Sequence, residues 1–250
     1  MKRRDFLQNS AVVGAAIGVS CISGAPVQMQ QSESRNARPS GSQNANKLEP
    51  PSKGKIPVAF LISRGATMID YAGPWEVFQD VHVPSRGDME DQMPFELFTV
   101  SDTTDVVVGS AGLKIVPDFT FQTAPAPKVV VIPAQGGRSQ AMFEWLNKVS
   151  QTADVVMSVC TGAFILARAG LLAGKSATTH HDFIDSLAKE FPNVEIKRGL
   201  RFVEGPKISS AGGLTSGIDL ALRVVERYFG RDVAQATATY MEYQSKDWIV

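Results

Sequence analysis

The apolar residues of this chain fall into short blocks between polar turns, and the blocks are of two kinds. One kind is a brief, nearly continuous aliphatic run: residues 57–62, 95–100, 128–132 and 154–159. Such runs, rich in β-branched residues, read as strands buried on both faces. The other kind places apolar residues at helical spacing, and predicts helices over residues 141–149, 183–191, 218–229 and 233–243. A further helix is predicted to start at Pro74, because proline is tolerated in a first turn and Trp75, Phe78 and Val81 then share a face. Residues 106–108 and 113–116 read as a hairpin about Gly109-Ser110, with short strands around Val194, Phe202 and Ile208. Apolar strands alternating with helices predict an α/β fold with a mostly parallel sheet covered on both faces.

The most informative junction is at Cys160. The apolar run 154–159 leads into it, and Gly162-Ala163-Phe164-Ile165-Leu166-Ala167 follows as a helix. A thiol at a sharp strand-to-helix turn has the geometry of a nucleophile elbow, with Cys in place of Ser. The helix N-terminus is expected to favour thiolate over thiol. The local pattern also fits a small buried filler at a strand end.

Ligands of open α/β sheets bind outside the carboxyl ends of the strands. Three such ends carry candidates: the segment reaching Asp70, the turn after Ile132, and the elbow. Asp70 lies among apolar residues, where a carboxylate needs a partner or a raised pKa; it reads as a proton-exchanging group facing Cys160 or as a helix cap. Thr161 offers a backbone N–H for an oxyanion and a hydroxyl to orient substrate or water, and Gly162 permits close backbone approach. Ala134, Gln135 and Gly136 offer a second set of N–H groups, or form a plain flexible loop. His180 and His181 are candidates for activating the thiol, although His180 also reads as a structural, hydrogen-bonded residue.

Charge and cysteine usage narrow the setting. Of 25 basic and 25 acidic residues, residues 1–54 hold 7 and 3, which leaves 18 and 22 for residues 55–250. That mildly acidic domain has no basic stripe for nucleic acid. The cysteines are Cys21 and Cys160, so Cys160 has no structural partner if Cys21 is removed or lipidated. No Cys/His cluster shows metal-ligand spacing.

The first 25 residues read as an export signal: Arg3-Arg4, then an apolar stretch from Ala11 to Val19, in the twin-arginine layout. Ser23-Gly24-Ala25 offers a cleavage site, and Gly18-Val19-Ser20-Cys21 resembles a lipobox whose Cys21 would carry a lipid. Export machinery is thus an expected partner, and the location periplasmic or extracytoplasmic. Residues 26–54, rich in Ser, Gln, Asn and Pro, read as a disordered polar linker. Residues 55–250 read as one domain.

Four linked segments resemble the ThiJ/PfpI superfamily. Asp70-Tyr71-Ala72-Gly73-Pro74-Trp75-Glu76-Val77 resembles its Asp-x-x-Gly-Pro-x-x-Val segment, and Ser158-Val159-Cys160-Thr161-Gly162-Ala163 its elbow. Residues 169–180 continue the match, and Gly212-Gly213-Leu214-Thr215-Ser216-Gly217-Ile218-Asp219 resembles its late helix start. The nearest branch is that of isocyanide (isonitrile) hydratases and the sensor domains of AraC-type regulators. The resemblance implies a flavodoxin-like, class I glutamine amidotransferase-like three-layer sandwich, commonly a homodimer. It also implies a small-molecule substrate and a Cys160 thioimidate formed from an isocyanide, with Asp70 and Thr161 assisting release of an N-substituted formamide and no metal or organic cofactor needed. Two departures bear on the substrate: the usual Pro-Gly-Gly is Pro133-Ala134-Gln135, and the usual Thr-Thr-His-Trp is Thr178-Thr179-His180-His181. Thr161 replaces the His that follows Cys in the protease-like branch, which argues against peptidase chemistry. The alternative is a non-catalytic module that binds a small ligand or senses oxidation. A regulator is disfavoured, since no DNA-binding helix pair follows the domain before Val250.

Overall fold

The computed structural model describes residues 47–250. The signal reading, Cys21 and most of the linker reading lie outside the described residues. In chain order the elements are β1 (Ile56–Leu61), α1 (Met68–Gln79), β2 (Phe95–Ser101), β3 (Val107–Val108), β4 (Lys114–Ile115), β5 (Phe119–Thr120), β6 (Val129–Ile132), α2 (Gln140–Thr152), β7 (Val155–Val159), α3 (Gly162–Arg168), β8 (Ser176–Ala177), α4 (Ile184–Glu190), β9 (Glu195–Ile196), β10 (Phe202–Val203), β11 (Ile208–Ala211), α5 (Ser216–Phe229) and α6 (Arg231–Tyr240). Seven strands form one sheet in the order β10-β11-β7-β6-β1-β2-β5. Every pairing in it is parallel except β10 with β11.

The central strands are apolar on both faces because both faces are covered. Val58, Phe60, Val129, Val131, Val155 and Met157 pack toward α1, α5 and α6. Their neighbours Ala59, Leu61, Val130, Ile132 and Val156 pack toward α2, α3 and α4. The alternation of the two sets is the period-2 geometry of a strand, and the three layers are the sandwich the sequence implies. Because β7, β6 and β1 are neighbours, the segments after their carboxyl ends meet at one edge.

Two expectations are corrected. Helix α1 begins at Met68, and Pro74 lies inside it rather than in its first turn. Packing holds the proline-bearing helix in place: Trp75 stacks near Phe60 at 4.7 Å. A Cβ on Gly73 would come within 2.8 Å of Ile218 Cγ1, so α1 lies close against α5. The earlier start moves Asp70 from a loop into the first helical turn. The polar linker also ends sooner than residue 54. The Leu48 N–H donates to the Arg227 carbonyl at 2.8 Å, and its side chain packs against the core. Arg86 donates to the carbonyls of Pro51 and Gly54, which ties down the segment before β1.

Candidate active site

Strand β7 ends at Val159, and the chain reverses into α3 through Cys160, whose φ is 56°. A left-handed conformation is costly for a residue with a Cβ, and such strain gathers at functional turns. Surrounding bonds hold it: the Cys160 N–H donates to the Gly212 carbonyl at 2.7 Å, and the Thr179 hydroxyl donates to the Cys160 carbonyl at 2.8 Å. Gly162 lets α3 start against the end of β6, since a Cβ there would lie 2.2 Å from the Ile132 carbonyl oxygen.

Asp70 is 0% exposed. One carboxylate oxygen, Oδ2, accepts the Ala134 N–H at 3.0 Å, while buried Oδ1 has no hydrogen-bond partner among the described residues. Burial pushes the Asp70 carboxyl up to about 6, against the pull of that single N–H bond. The thiol of Cys160 is pushed up to about 11, first by burial and then by the nearby Asp70 charge. The Thr161 and Leu214 backbone N–H groups and the Thr161 hydroxyl act at the sulfur in the opposite sense but do not win. The helix N-terminus, expected to favour thiolate, is thus opposed by burial and by Asp70. Burial and the neighbouring Asp70 charge both act against a thiolate here, and the two buried groups cannot ionise together cheaply.

The turn after Ile132 serves the site differently from a row of free N–H groups. The Ala134 N–H is committed to Asp70, and the Gly136 N–H donates to the Arg64 carbonyl at 2.8 Å. Gln135 Oε1 accepts the Ser63 N–H at 2.6 Å, so its side chain ties the β6 turn to the end of β1. Its buried Nε2 has no partner among the described residues. The donors at the sulfur come instead from Thr161 and from Leu214, which the sequence reading did not single out. The available signal was the Gly212-Gly213 pair before α5; Leu214 itself has φ 50°.

His180 caps the short 3-10 turn His181–Phe183, and its Nδ1 accepts the Asp182 N–H at 3.3 Å. Its ring stacks on that of His181 at 4.2 Å. Both line a cavity of about 370 Å³, together with Thr179, Arg201, Leu214 and Thr215. Cys160 is not part of the lining but is bonded to two of its residues, Leu214 and Thr179. A larger depression of about 640 Å³ runs between the end of α1 and α6, and none of the residues that carry chemistry line it; the site is placed by Cys160, not by cavity size. The turn also brings the ligand atoms of His180, His181 and Asp182 within 4.8 Å of one another. A 3-10 turn here gathers consecutive residues that a linear spacing rule passes over.

Comparison with known proteins matches residues 57–227 to the DJ-1/PfpI family. The isonitrile hydratase of Pseudomonas putida is 30% identical over 197 residues, covering 75% of this chain and 78% of that protein. The HTH-type transcriptional regulator GbdR of Pseudomonas aeruginosa is 26% identical over 201 residues, and the chain spans about half of it (53%). A solved structure of a ThiJ/PfpI family protein from Pseudomonas syringae superposes with a TM-score of 0.67 at 27% identity, covering 85% of this chain and 84% of that one.

Proposed function

The chain belongs to the DJ-1/PfpI family, and on that premise we propose that it is a cysteine-dependent hydratase of a small electrophile, converting an isocyanide to an N-substituted formamide. One observation carries the reading: a strained cysteine with hydrogen-bond donors at its sulfur lies beside a buried carboxylate whose pKa is raised to about 6. A base of that kind is suited to exchanging protons near neutral pH.

The Cys160 thiol hands its proton to Asp70, and the sulfur attacks the terminal carbon of R–NC. That carbon takes the proton back from Asp70, giving the thioimidate R–N=CH–S–Cys160. Water then adds to the same carbon with Asp70 as base, the nitrogen gains a proton, and the carbon–sulfur bond breaks. The products are R–NH–CHO and the restored thiol. N–H groups of Thr161 and Leu214 steady negative charge on sulfur as it forms and as it leaves, and the Thr161 hydroxyl orients the water.

The test offers aliphatic and aromatic isocyanides, nitriles, amides and reactive aldehydes, with mass spectrometry for a Cys160 adduct. Formamide formation and a thioimidate-mass adduct from isocyanides alone are the expected result; an inert panel sinks the reading. The second reading, a ligand-binding or oxidation-sensing module, is favoured by the kinship with GbdR. It predicts ligand affinity without turnover, unchanged in Cys160→Ala.

A homodimer is part of the proposal. Val106, Val108, Leu113 and Val116, on and beside the β3–β4 hairpin, are exposed, as is Met68 at the start of α1. The Met68 N–H donates to Ser110 Oγ at 3.1 Å, which ties the start of α1 to the turn between β3 and β4. Sedimentation at micromolar concentration is expected to give twice the chain mass, and Val116→Glu to shift it toward the monomer. Export through the twin-arginine layout rests on the sequence alone and is tested by fractionating cells that express the parent or an Arg3→Lys, Arg4→Lys variant.

A further inference from the structure

We propose that His180, His181 and Asp182 form a binding site for a divalent first-row transition cation, such as Zn²⁺ or Cu²⁺, on the rim of the cavity beside Cys160. One ligand atom from each of the three residues lies within 4.8 Å of the others, near enough for a common ion to draw them together. Tetrahedral ligands about 2.0–2.2 Å from zinc lie roughly 3.3 Å from each other. His181 Nε2 is 3.1 Å from one Asp182 carboxylate oxygen, and His180 Nδ1 is 3.6 Å from the other. Two imidazoles and a carboxylate suit zinc, copper or nickel rather than calcium or magnesium. Three protein ligands leave a coordination position for water or an incoming ligand.

The site is part built and part open. His180 is the fixed member: its side chain is 18% exposed, and a Cβ on Gly213 would stand 2.4 Å from its Cδ2, so the ring lies on a bare glycine. His181 and Asp182 are 84% and 67% exposed, which lets a hydrated ion reach them. The bond that coordination displaces is weak, since Nδ1 of His180 accepts the Asp182 N–H only at 3.3 Å. The remaining histidine, His82, bonds Gln92 across another part of the surface.

The claim is independent of the hydratase reading and is tested without turnover. Tag-free full-length protein is titrated calorimetrically with Zn²⁺, and Cu²⁺ is followed by electron paramagnetic resonance. One equivalent is expected to bind, with superhyperfine coupling to two imidazole nitrogens. Loss of a ligand in His181→Ala should weaken binding at least about tenfold, the loss already typical of removing an outer-shell partner. Asp182→Asn should weaken it as well, and both exposed-side-chain variants should keep the parent's circular dichroism. Cys160→Ala should bind as the parent does. Absence of stoichiometric binding, binding unchanged in His181→Ala, or binding lost in Cys160→Ala, which would put the ion on the thiol, each overturns the proposal.

Discussion

Asp70→Asn is expected to make the Cys160 thiol more acidic and turnover far slower. The two effects have opposite signs because Asp70 does two things. Its charge helps hold the thiol near 11, so removing it lowers the thiol pKa, and iodoacetamide should alkylate Cys160 faster at pH 8. As proton carrier it is irreplaceable by an amide, and loss of a positioned acid–base group costs typically 10²–10⁴-fold in kcat/KM. Cys160→Ala should remove turnover and adduct together. Slower alkylation in Asp70→Asn, or turnover close to that of the parent, would refute the assignment of roles.

The same substitution has a stability signature. The folded-state pKa of Asp70 is raised from 3.8 to about 6, so the fold binds its proton more tightly than the unfolded chain does. Burying this carboxyl is therefore least costly below pH 4. The penalty grows as pH rises from 3.8 and is complete once pH passes about 6, reaching about 3 kcal/mol for a shift of this size. Asn titrates nowhere in this range and keeps a carbonyl for the Ala134 N–H. Denaturant melts should show the Asn-minus-Asp stability difference growing by about 2–3 kcal/mol between pH 4 and pH 8. A flat difference would mean that Asp70 is not held above its ordinary value. The acid that makes the chemistry possible thus destabilises the fold at the pH where it works.

The parts of this site that were legible in the sequence are those fixed by local pattern. The valine-rich run ending at Cys160, and the glycine two residues later, specify an elbow whatever surrounds them, and β7, Cys160 and α3 lie as expected. A mostly parallel sheet follows from alternating apolar strands and helices, whereas the neighbouring of β7, β6 and β1 is seen only in the fold. What stayed hidden depends on distance. No local rule puts the Leu214 N–H at a sulfur 54 positions earlier, or shows that the Ala134 N–H is spent on Asp70. The influences that oppose a thiolate stay hidden for the same reason. A helix N-terminus is visible in sequence and argues for thiolate, whereas burial and a charge 90 residues away are tertiary and outweigh it. The α1 start was missed because proline propensity is local, while the packing of Gly73 on Ile218 is not.

Gly162→Ala is expected to be the most damaging single-methyl change near the site. The new Cβ would stand 2.2 Å from the Ile132 carbonyl oxygen and 3.0 Å from that of Pro133, and both are backbone atoms that no rotamer change can move away. Relief requires the start of α3 to separate from the end of β6. Overpacking of this kind costs typically 1–3 kcal/mol and sometimes more, which for a domain of this size lowers Tm by roughly 2–4 °C per kcal/mol. The movement would also carry Cys160 and the Thr161 N–H away from Ala134 and hence from Asp70, so kcat should fall further than the loss of folded protein explains. Gly170→Ala separates sterics from backbone strain. Gly170 has φ 76° with nothing within 4 Å of its Cβ position, so that variant carries only the left-handed penalty, about 1–2 kcal/mol, and should leave turnover intact. A Gly162→Ala protein that melts with the parent and turns over normally would show that the elbow does not depend on this contact.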